Sequence, residues 1–219
     1  MLVAFALLTV ALAAGALLDL DVAVRDWCDG HQTHATHWLA RALVPLGSGN
    51  VVVPVILLLA IATAIRTRSL WPVVPVLVAW AAGNLLLVPL KMAGDRAAPH
   101  SPAADPQLLF HYPPGWSYPS GHAANSVYLF GLLVRVLDRL AASLDRGPLG
   151  PRTRLVLRLA PPVLVSATFL YLGYHWLTDI VAGLLLGVFL DRVLGRLDGY
   201  FWPRLNQLPS VSRKSASTP

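Results

Sequence analysis

Val51-Val52-Val53-Pro54-Val55-Ile56-Leu57-Leu58-Leu59-Ala60-Ile61-Ala62-Thr63-Ala64-Ile65 carries no charge, and Arg66-Thr67-Arg68 closes it. An apolar run of this length, coiled as a helix, suits the hydrocarbon core of a bilayer, and the arginines mark its end at the headgroups. Five more predominantly apolar runs of similar length occur. Leu2–Leu18 precedes it, and Leu70–Leu90, Gly121–Leu137, Leu159–Tyr174 and Leu177–Leu194 follow. Composition agrees: 56% of residues are hydrophobic, 13% are charged, and mean hydropathy is +0.60. Soluble domains carry about 25% charged residues. The expected fold is all-α, a six-transmembrane-helix bundle.

The segments between the runs place the termini. Leu2–Leu18 lacks a basic start and reads as a retained helix rather than a signal peptide. In the first loop, Trp38, Leu39, Ala42 and Leu43 follow helical spacing, which predicts an amphipathic surface helix. With six spans, loops alternate between two sides. Arg66, Arg68, Arg135, Arg139, Arg146, Arg152, Arg154, Arg158, Arg192, Arg196, Arg204, Arg213 and Lys214 fall on one side. Only Arg25, Arg41, Lys91 and Arg96 fall on the other. The basic side is expected to be cytoplasmic. That makes a multi-pass cell-membrane protein with both termini inside. Residues 1–198 form the membrane domain and 199–219 a polar, basic cytoplasmic tail. The net charge of +6 reflects this topology and not nucleic-acid binding. Cys28, the lone cysteine, excludes an intrachain disulfide.

Polar residues gather at three run ends, all on the outer side: Lys91 to Pro99, Ser120-Gly121-His122, and His175 to Asp179. Ionisable residues collected at one membrane depth point to a shared task. Pro119 and Ser120 predict a helix start, with Ser120 as N-cap and Gly121 allowing an anion near the free N–H groups. His122 stands beside it, able to carry a proton. His175 and Asp179 are four apart and share a helix face, so the carboxylate can fix one ring nitrogen and leave the other to attack. His31, His34 and His37 are spaced by threes, which drifts around a helix; they read as a polar interfacial face and not a metal site.

These motifs resemble the type 2 phosphatidic acid phosphatase superfamily of membrane lipid phosphatases. That family carries Lys-x6-Arg-Pro, Pro-Ser-Gly-His and Ser-Arg-x5-His-x3-Asp. The second is intact at Pro119–His122, and the third ends intact at His175 and Asp179. In the first, Lys91 and Pro99 hold their places, but the arginine position is Ala98, with Arg96 two residues earlier. In the third, Ser-Arg reads Thr168-Phe169. The resemblance implies hydrolysis of a lipid phosphate or diphosphate at the outer face, through a phosphohistidine, with no metal or other cofactor. It implies His175 as nucleophile, His122 as proton donor and Asp179 as orienter. Lys91, Arg96, Ser120 and Gly121 would hold the phosphate, with Arg96 reaching in for the missing arginine. The partners implied are the lipid substrate and the bilayer. Two alternatives share the motifs: a lipid phosphotransferase, and a lipid-phosphate-binding protein with a decayed site.

Overall fold

Backbone polar groups inside a bilayer must satisfy one another, which commits so apolar a chain to helices. The computed structural model describes residues 1–111 and 115–205. In chain order the helices are α1 (Leu2–Ala13), α2 (Leu18–Gly30), α3 (His34–Leu43), a 3-10 turn (Val44–Gly47), α4 (Gly49–Thr67), α5 (Val74–Gly94), α6 (Gly121–Ser143), α7 (Pro151–Tyr171) and α8 (Leu177–Leu205). No strand occurs among the described residues. By length and composition α4, α5 and α7 can each cross a membrane, and α1 with α2 adds a fourth if the pair is one broken span. The all-α membrane fold is therefore present, with three or four such candidates where the sequence reading counts six.

The first run differs most from expectation. α1 has 12 residues, about 18 Å of helix against a hydrocarbon core of about 30 Å. It is not one straight crossing over Leu2–Leu18. Gly15 (φ +82°) and Leu17 (φ +68°) take left-handed conformations, and α2 leaves at 89° to α1. Asp19 and Asp21 in the first turn of α2 suit a helix N-terminus. The expected amphipathic helix is α3: Thr33 and Thr36 form a capping box, and Trp38 and Leu39 are exposed on it. The loop expected over Asp138–Arg158 is shorter than that, because α6 runs to Ser143 and Pro151 starts α7 at its first position. α8 continues to Leu205, past the boundary at 198. The remainder of the tail, 206–219, lies outside the described residues.

α6 is the central helix. Ile56, Ala60, Val76, Ala79, Leu129, Leu132 and Val136 pack a common core from α4, α5 and α6. Against α8 the contact is closer, and glycines permit it. A Cβ at Gly187 would stand 2.7 Å from the Ala124 carbonyl oxygen. Gly183 faces the Ser120 carbonyl in the same way. Small residues four apart let two backbones approach in a membrane. The Ser120 N–H then donates to the Asp179 carbonyl across 3.0 Å, joining the starts of α6 and α8. At the far end of α6, Arg135 pairs with Asp191 at 2.7 Å and Arg139 pairs with Asp198. Arg139 lies 18 residues beyond Gly121, about 27 Å along the helix axis.

Candidate active site

Helix ends assemble the site. Lys91 sits in the last turn of α5, Gly121 and His122 open α6, His175 precedes α8, and Asp179 lies in its first turn. A cavity of about 520 Å³ opens among them, bordered by Lys91, Ser117, Gly121, His122 and His175. The sequence thus brings both histidines, the lysine and the helix N-terminus to one space.

Asp179 is fully buried and anchors the cluster. Its Oδ2 lies 3.3 Å from His175 Nδ1 and accepts from the Trp176 N–H at 3.0 Å. Ser117 Oγ donates to the same oxygen at 2.5 Å and stands 3.2 Å from His175 Nδ1. With Nδ1–H directed at the carboxylate, Nε2 keeps its lone pair. Ser117 was not among the expected site residues. Its only signal is position, three residues before Ser120 in the segment that leads into α6.

Lys91 Nζ donates to the Trp116 carbonyl at 2.5 Å. A Cβ added to Gly121 would lie 3.3 Å from Lys91 Cε, so the lysine stem passes directly over the start of α6. His122 and His175 are linked through an aromatic: the Phe169 ring centroid is 4.3 Å from that of His122 and 5.7 Å from that of His175.

Two expected phosphate ligands have other partners. Arg96 is fully buried and does not border the cavity. It donates from NH1 to Asp179 Oδ1 at 2.6 Å and to Thr178 Oγ1 at 2.8 Å. NH2 donates to Asp21 Oδ2 at 2.6 Å, and Nε to the Gln107 carbonyl at 2.8 Å. The Trp176 ring covers the guanidinium at 5.3 Å. Reaching phosphate would strip two buried carboxylates of their cation, so in this geometry Arg96 does not stand in for the missing motif arginine. Ser120 is likewise buried: its Oγ accepts from the Ala123 N–H at 3.3 Å and caps α6. Gly121, not Ser120, faces the cavity.

Asp21 completes the arrangement. It accepts from the Thr178 N–H at 2.9 Å and from Thr178 Oγ1 at 2.6 Å, pinning α2 to the start of α8. Its distance in sequence hides this role. The histidine triplet lies away from the cavity, with His31 stacked on Trp27 and His34 accepting from Trp38 Nε1 at 3.0 Å. Thr9 Oγ1 meets the Tyr118 hydroxyl at 2.7 Å, tying α1 to the segment before α6. Burial pushes the Tyr118 phenol up to about 12, so it stays protonated at neutral pH.

A histidine held at one nitrogen by a buried carboxylate, where helix ends meet in an all-helical membrane fold, belongs with a known chemistry. The class is a membrane phosphate-ester hydrolase of the type 2 phosphatidic acid phosphatase kind. The model of the PAP2 superfamily matches residues 72–202, and the chain belongs to that superfamily. Phosphatidylglycerophosphatase B of Bacillus subtilis is 26% identical over 196 residues, which span 85% of this chain and 87% of that protein. An undecaprenyl-diphosphatase of Sulfolobus acidocaldarius is 35% identical over 80 residues, 36% of this chain and 32% of that one. Among solved structures, a transmembrane PAP2 type phosphatidylglycerolphosphate phosphatase from Bacillus subtilis superposes with a TM-score of 0.74 at 19% identity. The superposition covers 98% of this chain and 96% of that chain, which establishes the shared fold.

Proposed function

We propose that the protein hydrolyses a phosphate ester of a membrane lipid at the extracytoplasmic face, through a phosphohistidine on His175. His175 Nε2 attacks phosphorus, with Asp179 and Ser117 holding the ring and stabilising the charge it gains. His122 gives a proton to the leaving alkoxide, then takes one from the water that releases the phosphoryl group. Lys91 and the Gly121 N–H hold the non-bridging oxygens. Arg96 acts through Asp179 and not on the substrate. The names of the relatives point the same way, since both act on lipids bearing phosphate or diphosphate. The excess of basic residues on the opposite side supports the outward orientation.

The carrying observation is the buried Asp179 carboxylate at 3.3 Å from His175 Nδ1, beside a cavity that His122 and Lys91 also border. The test is purified protein in detergent with a panel of lipid phosphate esters. His175→Ala should abolish product release while leaving the melting temperature unchanged. EDTA should leave turnover unaffected. Full activity in His175→Ala would refute the nucleophile, and strong EDTA inhibition would bring a metal into the mechanism.

A further inference from the structure

The cavity is longer than a phosphate needs. Lys91, Gly121, His122 and His175 border one end, and Trp80, Gly83, Asn84 and Tyr128 border the other. Asn84 stands seven residues before Lys91 in α5, and Tyr128 seven residues beyond Gly121 in α6. Either offset is about 10 Å of helix. α5 ends and α6 begins at the same cluster, so Asn84 and Tyr128 lie at a similar depth. Trp80, Asn84 and Val88 share a face of α5 and are exposed, which opens this far end to the side of the bundle.

Polar side chains this far into apolar helices call for partners. Tyr128 is 3% exposed. Its hydroxyl opens to the cavity and makes no hydrogen bond with another described residue. The hydroxyl lies over Gly83, where an added Cβ would come within 2.2 Å of it, so the space it occupies exists because Gly83 has no side chain. Asn84 is the one amide side chain in α5. One of its N–H groups donates to the Trp80 carbonyl at 2.8 Å, which leaves it a second N–H. A buried donor left unmatched is costly, and no step of the mechanism uses the Tyr128 hydroxyl.

A lipid phosphate held at Lys91 and the Gly121 N–H carries its next oxygens at a definite reach. In phosphatidic acid the ester carbonyl oxygens are six and seven bonds from phosphorus, about 7–8 Å along an extended chain. In phosphatidylglycerol phosphate the diester oxygens stand seven bonds from the terminal phosphorus. A hydrogen bond adds about 3 Å, and the sum matches the depth of Tyr128. A prenyl phosphate has only hydrocarbon at that reach. We infer that Tyr128 is a specificity-determining residue: its hydroxyl donates to an oxygen acceptor six or seven bonds from the attacked phosphorus, and so favours glycerol-based lipid phosphates over prenyl phosphates. Asn84 lies at a similar depth with a further N–H. The inference rests on the function proposed above.

The test measures kcat/KM of the full chain and of Tyr128→Phe in detergent micelles on four lipids. Dioleoyl phosphatidic acid offers the ester carbonyl. The dialkyl ether analogue of phosphatidylglycerol phosphate offers only the diester oxygen. The dialkyl ether analogue of phosphatidic acid and farnesyl phosphate offer neither. On the first, the second or both, Tyr128→Phe should lose about three- to tenfold more than on the other two, the worth of one neutral hydrogen bond; which of them responds identifies the acceptor. Its melting temperature should not fall, because the hydroxyl it removes has no partner in the protein. Equal losses on all four lipids, no loss on any, or a lowered melting temperature would overturn this inference, and the proposed function would stand if His175→Ala abolishes turnover. Turnover of none of the four lipids, or turnover that His175→Ala leaves intact, would overturn both.

Discussion

Replacing Arg96 by glutamine keeps a polar side chain of moderate length but removes the charge between Asp21 and Asp179. All three side chains are fully buried, and the arginine lies 2.6 Å from each carboxylate. Breaking a buried pair by removing one partner costs about 3–5 kcal/mol, because the other charge is left without compensation. For a chain of this size that corresponds to a fall in melting temperature on the order of 10 °C. Thermal unfolding in detergent, followed by tryptophan fluorescence, reads it directly, since Trp176 covers the guanidinium. Asp21→Asn in the same background should return part of the loss, with a coupling of about 0.5–3 kcal/mol between the two positions. The kinetic signature is a lower kcat, through a displaced Asp179, with KM little changed. An Arg96→Gln protein that melts like the wild type and shows only a raised KM would refute this reasoning and return Arg96 to the phosphate.

Further substitutions probe the rest of the arrangement. Ser117→Ala removes a donor to the buried Asp179 carboxylate; such bonds to charged groups are worth about 1.5–3 kcal/mol, so kcat should fall about 10- to 100-fold with the substrate's KM retained. Gly187→Val would drive a side chain into the Ala124 backbone, and should lower the yield of folded protein and the melting temperature. An unaffected melt would show that α6 and α8 are not locked there.

Part of the helix pattern was legible because a bilayer demands apolar runs: Val51–Ile65 and Leu70–Leu90 lie close to the bounds of α4 and α5, whereas α6 runs on to Ser143, α7 begins at Pro151 and α8 runs on to Leu205, well past the runs that announce them. The helix start at Ser120 was legible from Pro119 and the cap. The start of α7 at Pro151 lies well before the run at Leu159, although proline at a first helical position is a start signal. The bend between α1 and α2 was not legible, because Leu17 gives no sign of a left-handed conformation. At the site, His122, His175, Asp179, Lys91 and Gly121 come together as their spacing and helix-end positions imply. Arg96 was misplaced for a physical reason. Its best partners are two carboxylates, one of them 75 residues away in α2, and no local pattern announces a pairing over that distance.

The central claim is that His175 carries the phosphoryl group during turnover. Protein quenched in base within the first turnovers, digested, and analysed by mass spectrometry should yield the peptide containing His175 with the transferred group attached, in an acid-labile bond, and that adduct should be absent from Asp179→Asn at the same quench time. Rapid turnover with no adduct on His175, or with the group on His122 instead, would contradict the account.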